Sequence, residues 1–385
     1  MPAKGAHVDV IVGGGIVGLS IAWRLARSGR PVTVADPAPA SGASNAAAGM
    51  LAPVSEVTYT EAPLLRLGLA ALRRWPSFAA ELAVDAGLAG ADALDFRTDG
   101  TLDVAFGADD LAALDELAAF MEKLDLPVER LTGRECRRLE PMLAPAVRGG
   151  LLAPGDAWVD PRRVTAALLA ALDRLGVPLV RARVSELLRD DGKVTGVRLT
   201  PPDVQAPGVA DGGVPREVRA ERVILAAGAW SAALAGVPVR PVKGQILRLR
   251  SSQPLLGRCV RGTVHGSSVY LVPRGDGELV VGATQEELGF DTRVTAGGLY
   301  ELLRDARELV PGVTELEVAD VVAGLRPGTP DNLPAIGPSG APGLTLATGH
   351  HRGGVLLAPL TTAILLGEEG ELAALCSPER FRDIS

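Results

Sequence analysis

The sequence predicts an α/β protein of two interleaved parts, on three observations. Residues 7–36 read as strand, glycine turn, helix and strand. Buried strands followed by glycine recur at 222–228 and 344–349. Between them lie segments that alternate apolar and polar residues, the period-two pattern of antiparallel strands. Together these describe a Rossmann-type dinucleotide-binding domain over residues 1–80, 145–236 and 323–385. A smaller antiparallel-sheet domain for substrate, residues 81–144 and 237–322, is inserted into it.

The N-terminal unit comes first. His7 to Val12 is a short apolar run, as in a buried parallel strand. Gly13-Gly14-Gly15-Ile16-Val17-Gly18 then fits the G-x-G-x-x-G pattern, and Leu19 to Ser28 continue with helical periodicity up to Gly29. Gly13 permits a tight turn, Gly15 lets a pyrophosphate approach the backbone, and Gly18 lets helix and strand pack closely. The helix N-terminus offers free N–H groups and a positive dipole end to phosphates. Pro31 to Ala35 is a second strand, and it ends in Asp36. An acid about 20 residues past the last glycine suits ribose hydroxyls. These features predict dinucleotide binding without choosing the nucleotide. Residues 41–53 are small and polar, then apolar, so their backbone can lie against a flat ligand.

Leu64 to Ala86 and Ala108 to Leu124 have amphipathic helical spacing. Between them Leu94 to Phe106 alternates around Asp99-Gly100. Leu131 to Leu143 is expected to be partly helical. Asp160 caps a helix with Pro161 at its first position, running to about Leu175, and Val177 to Arg183 is a strand. Val184 to Leu188 and Val194 to Leu199 form a hairpin around Asp191-Gly192, and residues 200–215 an exposed loop. Arg222 to Ala227 is a strand meeting Gly228, where backbone crosses close to the ligand again. Ile246 to Leu249 alternates, Ser268 to Pro273 and Glu278 to Gly282 form a hairpin, and Leu299 to Leu309 is an amphipathic helix. Val318 to Leu325 is a strand ending in Arg326. Leu344 to Ala347 is the last strand, followed by a glycine-rich loop and an apolar helix from about Val355 to Leu366.

Composition narrows the function. The 385 residues are 47% apolar and 22% charged, with a net charge of −7, which suits a folded domain and leaves no basic stripe for nucleic acid. Cys136, Cys259 and Cys376 are too far apart for a metal or redox motif, and four histidines are too scattered for a metal site. The expectation is three reduced thiols, no metal and a cytoplasmic protein. No segment reads as a membrane span or a signal peptide.

Six segments carry a family resemblance over nearly the whole chain, in order. They are Ala46 to Leu51, Pro241 to Gly244, Tyr270 to Arg274, Val281 to Thr284, Ala323 to Thr329 and Gly349 to Pro359. The chain resembles flavoproteins of the D-amino-acid-oxidase superfamily, and within it the glycine oxidases of thiamine biosynthesis. The resemblance implies non-covalent FAD, since no cysteine lies near Arg326, where related enzymes attach the flavin. By position it implies that Ile16, Val17, Asp36, Pro37, Ala43, Ser44, Ala48, Gly49, Met50 and Val184 line the flavin nucleotide. His350, His351, Arg352, Gly353, Gly354, Val355 and Leu356 would sit under the flavin. A helix starting near Gly353 would aim its positive end at the flavin pyrimidine edge.

The implied chemistry needs little acid–base machinery: a Cα hydrogen leaves as hydride to flavin N5 while the amine lone pair assists. Catalysis is then orientation and electrostatics. The resemblance assigns Arg326 to the substrate carboxylate, which a guanidinium can grip with two parallel hydrogen bonds. Arg326 follows an apolar strand and precedes Pro-Gly, an odd place for a surface arginine. Arg352 is placed at the substrate too, with an acidic neighbour or the flavin as its alternative partner. The Tyr270 hydroxyl could donate to the carboxylate or be satisfied in the core. The pattern departs from the family at Ser268, in place of a histidine, and at Gln285, in place of a methionine. Asp36 stands where Glu is commoner.

The implied function is oxidative deamination of glycine, and of sarcosine or small D-amino acids, to imine or glyoxylate, ammonia and hydrogen peroxide. Dioxygen would be the acceptor. A homo-oligomer, by analogy a homotetramer, and a thiazole-synthase partner are implied by analogy. A D-amino-acid dehydrogenase passing electrons to a quinone is the alternative. A flavin-binding scaffold without turnover would need no carboxylate clamp.

Overall fold

The computed structural model describes residues 8–200, 216–264 and 266–382. His7, and the expected loop apart from Thr200, lie outside these residues. Apolar runs become the expected parallel strands. A six-stranded sheet has the order Ala335–Pro338, Leu344–Thr348, Arg222–Leu225, Asp9–Val12, Val32–Ala35, Leu179–Val180. All of its pairings are parallel except the edge pair Ala335–Pro338 with Leu344–Thr348. Three helices, Ile16–Arg27, Ala62–Ala86 and Pro161–Arg174, cover one face of this sheet. Their core holds Trp23, Trp75 and Phe78, with Phe78 edge-on to both tryptophans at 5.1 and 5.3 Å. A three-stranded antiparallel sheet (Arg183–Asp190, Lys193–Thr200, Arg216–Arg219) packs its apolar residues on the other face. The sheet is therefore buried on both sides, as its continuous apolar strands require.

Alternating segments form an eight-stranded sheet in the order Glu317–Gly328, Arg240–Arg250, Glu278–Gly282, Ser267–Pro273, Cys259–Val264, Thr101–Ala105, Gly149–Ala153, Glu129–Thr132. Its pairings are antiparallel except that between Thr101–Ala105 and Cys259–Val264. Helix Ala296–Leu309 packs on it through Leu302, Ala306 and Leu309. Strand Gly149–Ala153 lies in this sheet although its residues were expected in the nucleotide-binding segments, and Glu317–Gly328 runs across the expected boundary at 323.

Several elements differ from expectation. The strands Cys259–Val264 and Glu129–Thr132 were not anticipated, because Arg261, Gly262 and the Glu-Arg pair at 129–130 break the apolar pattern. Of the alternating segment Leu94 to Phe106, Thr101–Ala105 forms a strand, and a 3₁₀ turn at Ala91–Leu94 precedes it. The C-terminal apolar helix starts at Ala358, with a 3₁₀ turn at His351–Gly353 before it. Pro359 near its start suits that later beginning.

The glycine turn is fixed by close approach. Gly13 has φ of +111°, and a Cβ there would lie 2.3 Å from the Ala226 carbonyl oxygen. A Cβ on Gly18 would lie 2.0 Å from the Gly13 carbonyl oxygen. Alanine is intrinsically the better helix former, by about 1 kcal/mol, but this clash is with backbone and outweighs it. Gly18→Ala should lower stability by about 1–3 kcal/mol in urea denaturation.

Candidate functional site

The carboxyl ends of the parallel strands and one face of the larger sheet enclose a continuous cavity of about 1140 Å³. That exceeds the roughly 300–1,000 Å³ of ordinary ligand pockets. At one end the glycine turn leads into helix Ile16–Arg27, whose first turn carries no acidic residue and no cap from its own N-cap side chain. In that first turn the Ile16 N–H donates to Ser44 Oγ at 2.9 Å. Gly13, Gly15, Ile16 and Val17 line the cavity here. Gly18 does not reach it and serves helix–strand packing. Asp36 stands at the strand end, its two oxygens accepting from the N–H groups of Gly14 (2.6 Å) and Ala38 (2.7 Å). Each oxygen keeps a lone pair for a further donor. Pro37, Val184 and Gly228 line the same end.

Ala43, Ser44, Ala48, Gly49 and Met50 form the middle of the wall. Short helix Gly42–Ala46 comes against the sheet at Gly324, where a Cβ would lie 2.8 Å from that of Ala46. Three arginines hold the backbone that follows. Arg162 donates to the Asn45 carbonyl at 3.0 Å, Arg248 to those of Asn45 and Ala47 at 3.3 and 3.4 Å, and Arg274 to that of Ala48 at 2.5 Å. Arg248 and Arg274 are buried. They take up carbonyls that would otherwise be orphaned where the helix ends.

The other end is polar. Tyr270, Arg326, His351 and Arg352 all line it. Arg326 donates to the carbonyls of Lys243 and Thr284 at 3.4 and 3.2 Å. Among the described residues no carboxylate lies within 4 Å of its guanidinium nitrogens. Burial pushes the Tyr270 phenol above its ordinary pKa, although nearby Arg326 opposes this, so its hydroxyl stays a donor at neutral pH. Arg352 is different: it is ion-paired with Glu61 at 2.5 Å, the acidic neighbour left open as its alternative partner. Burial alone would raise the Glu61 pKa, but hydrogen bonds from Arg352 and Asn332 hold it below the ordinary value.

His350 and His351 are both pushed down to about 4, chiefly by burial, and are neutral. His350 is tied to Thr361 at 2.9 Å, while His351 Nδ1 is buried without a partner in the described residues and its φ is +45°. Gly354 and Val355 reach the main cavity. Gly353 and Leu356 instead line a small neighbouring one of about 40 Å³ beside Glu61. The α-helical dipole begins at Ala358, a turn beyond the expected Gly353.

Several lining residues, Asp103, Arg261 and Thr263 among them, carry no sequence motif. Asp103, Arg261 and Tyr270 stand directly opposite one another on three adjacent strands, and Thr263 opposes Ser268. Direct neighbours of this kind share a sheet face. Arg261 Nε is 3.6 Å from Asp103 and its Nη1 donates to the Ser55 carbonyl at 2.8 Å. Ser55, Glu56, Ser268 and Gln285 also line the wall. Only strand pairing, invisible in one sequence, could have grouped these residues. None of the three cysteines reaches the cavity, and all are buried free thiols. Among the described residues no cluster of metal-ligating side chains occurs and no helix is long and apolar enough to cross a membrane.

Asp156 holds the turn that carries Ser55 and Glu56, accepting from the N–H groups of Val54 (3.2 Å) and Ser55 (3.0 Å). Burial raises its pKa to about 6. The folded state thus keeps this proton to higher pH than the unfolded chain, and the resulting stabilisation is lost as pH rises from about 4 through 6. The stability of wild type minus that of Asp156→Asn should fall by about 3 kcal/mol between pH 4 and 7 in denaturant titrations.

Residues 10–367 match the family model described as DAO, FAD dependent oxidoreductase. A glycine oxidase of Geobacillus kaustophilus is 34% identical over 91% of this chain and 89% of its own length. The crystal structure of glycine oxidase from Geobacillus kaustophilus superposes with a TM-score of 0.82, covering 94% of each chain. The bifunctional protein ThiO/ThiG of Nostoc sp. is 34% identical over 92% of this chain but only 51% of its own length, so the chain spans about half of that relative.

Proposed function

The chain belongs to the family of FAD-dependent oxidoreductases, and from that premise we propose that it oxidatively deaminates glycine, with sarcosine and small D-amino acids as further substrates. The observation that carries this reading is Arg326: a guanidinium facing the cavity beside Tyr270, held by two backbone carbonyls and with no carboxylate within 4 Å among the described residues. FAD is the cofactor of the family. A pyrophosphate suits the close backbone of the glycine turn and the start of a helix whose first turn carries no acidic residue, and a ribose hydroxyl suits the spare lone pairs of Asp36. Val184 and Gly228 would flank the nucleotide. Ala43, Ser44, Ala48, Gly49, Met50 and the His350–Val355 segment would line the flavin, and the buried cysteines leave it without a thiol to attach it. The six-stranded sheet would carry the cofactor and the eight-stranded sheet the substrate.

Bound FAD supplies the hydride acceptor. The protein residues do the rest by orientation. Arg326 and the Tyr270 hydroxyl would grip the substrate carboxylate and so set which way Cα points. Arg352, tied to Glu61, would shape the site more than take the carboxylate's charge. Neutral His350 and His351 add no positive charge that would compete for the carboxylate. The product imine is released to water as glyoxylate and ammonia, and dioxygen takes the electrons as hydrogen peroxide. The glycine oxidases among the relatives favour this over the dehydrogenase alternative. A role in thiamine biosynthesis beside a thiazole synthase, a homo-oligomeric state and a cytoplasmic location belong to the same proposal. The ThiO/ThiG name of the Nostoc relative is the support for the first of these.

Adding glycine without air should bleach the oxidised flavin, and readmitting air should restore it with one hydrogen peroxide per glycine consumed. A flavin that stays oxidised would refute the glycine reading. Arg326→Ala should raise KM for glycine roughly 30-fold or more while FAD stays bound, since losing a buried charged hydrogen bond costs about 2–5 kcal/mol. Asp36→Ala should instead release FAD on gel filtration, and full retention would remove its ribose role.

A further inference from the structure

We propose that Glu286 is a positioning residue for the carboxylate grip, fixing with Gly244 where the Arg326 guanidinium lies; this rests on the reading of Arg326 given above. The two carbonyls that receive Arg326 belong to Lys243 and Thr284, on separate segments. Glu286 ties those segments together. Its N–H donates to the Lys243 carbonyl at 3.0 Å, and its own carbonyl accepts from the Lys243 N–H at 2.9 Å. The Lys243 carbonyl therefore receives both Glu286 and Arg326. The Glu286 carboxylate accepts from Thr284 Oγ1 at 2.5 Å and Gln245 Nε2 at 2.8 Å, and lies 3.3 Å from Lys243 Nζ. Thr284 Oγ1 also accepts from the Gln245 N–H at 2.8 Å.

Lys243 and Gln245 are fully buried. Gln245 is anchored in turn by Thr295, the N-cap of helix Ala296–Leu309, through bonds of 2.8 and 3.1 Å. The buried Lys243 ammonium makes this carboxylate expensive to remove, because an unpaired buried charge is strongly unfavourable.

From below, the guanidinium rests on Gly244. A Cβ there would lie 2.4–2.6 Å from Arg326 Nη1, Nη2 and Cζ. So the side chain is located by carbonyls and by a missing methyl. The carboxylate that organises the seat touches the residues bearing those carbonyls and not the guanidinium itself. A direct Glu286–Arg326 pair would have to be broken by every incoming substrate. The observed arrangement orients the cation and leaves its charge uncompensated.

The test is calorimetric titration of the FAD-loaded protein with acetate, a carboxylate that is not oxidised. Wild type is compared with Arg326→Ala, Glu286→Gln, their double variant and Gly244→Ala, with FAD content and Tm recorded. Glu286→Gln and Gly244→Ala should each weaken acetate binding roughly tenfold. The double variant should bind no more weakly than Arg326→Ala alone, because residues acting through one partner are non-additive. A mere loss of stability would lower Tm without that pattern. Wild-type acetate affinity in Glu286→Gln, or full additivity in the double variant, overturns the proposal while leaving Arg326 as the grip. An Arg326→Ala protein with wild-type affinity overturns the underlying reading as well. If Glu286→Gln does not fold, Gly244→Ala decides, since it removes no hydrogen-bonding group: unchanged affinity there overturns the seat.

Discussion

A guanidinium whose partners are two backbone carbonyls is the constraint around which the polar end of the cavity is arranged. Arg326 lies on a strand whose neighbour carries Gly244, and two rungs along from the Val242–Arg326 pair Gly244 stands opposite Gly324. One glycine makes room for the arginine; the other lets helix Gly42–Ala46 close on the sheet. Small residues on two adjacent strands thus set both the height of the cation and the distance between the sheet and the Ala48–Met50 segment. On the proposed reading, the substrate carboxylate would offset the cost of holding a cation without a counter-charge in a partly desolvated wall.

The cofactor side depends on a different device. The segment from Asn45 to Ala48 has no regular partner for its carbonyls, and three arginines from elsewhere supply one. Arg248 is itself paired with Glu278 at 2.5 Å, and Arg162 with Asp320 at 2.6 Å, so two of the three cations are balanced away from the cavity, while Arg274 donates to the Ala48 carbonyl. Arg326 differs from Arg162 and Arg248 in that no carboxylate lies within 4 Å of it among the described residues. Arg352 lines the cavity like Arg326 but is already held by Glu61.

Much of the fold was legible because its signals are local. The glycine turn, the Asp160–Pro161 helix start and the apolar strands each act within a few residues, and each formed as read. What a single sequence hides is lateral pairing. Asp103, Arg261 and Tyr270 meet because three strands far apart in sequence lie in register. Arg261 and Gly262 even disguised their strand by interrupting its apolar pattern. The partner of Arg352 could not be chosen from sequence, since Glu61 is 291 residues away. The misplaced helix start has a local reason: apolar composition from Val355 onward does not distinguish an α-helix from the tight turns that precede Ala358. Gly244 reads as an ordinary strand glycine until the arginine above it is seen.

The most direct measurement is a crystal structure of the FAD-loaded protein with glycolate, a non-amine analogue of glycine. The account predicts its carboxylate against the Arg326 guanidinium and the Tyr270 hydroxyl, with Arg326 still seated over Gly244 and Arg352 still paired with Glu61. A carboxylate bound instead to Arg261 or to a released Arg352, with Arg326 left on its two carbonyls, would contradict it.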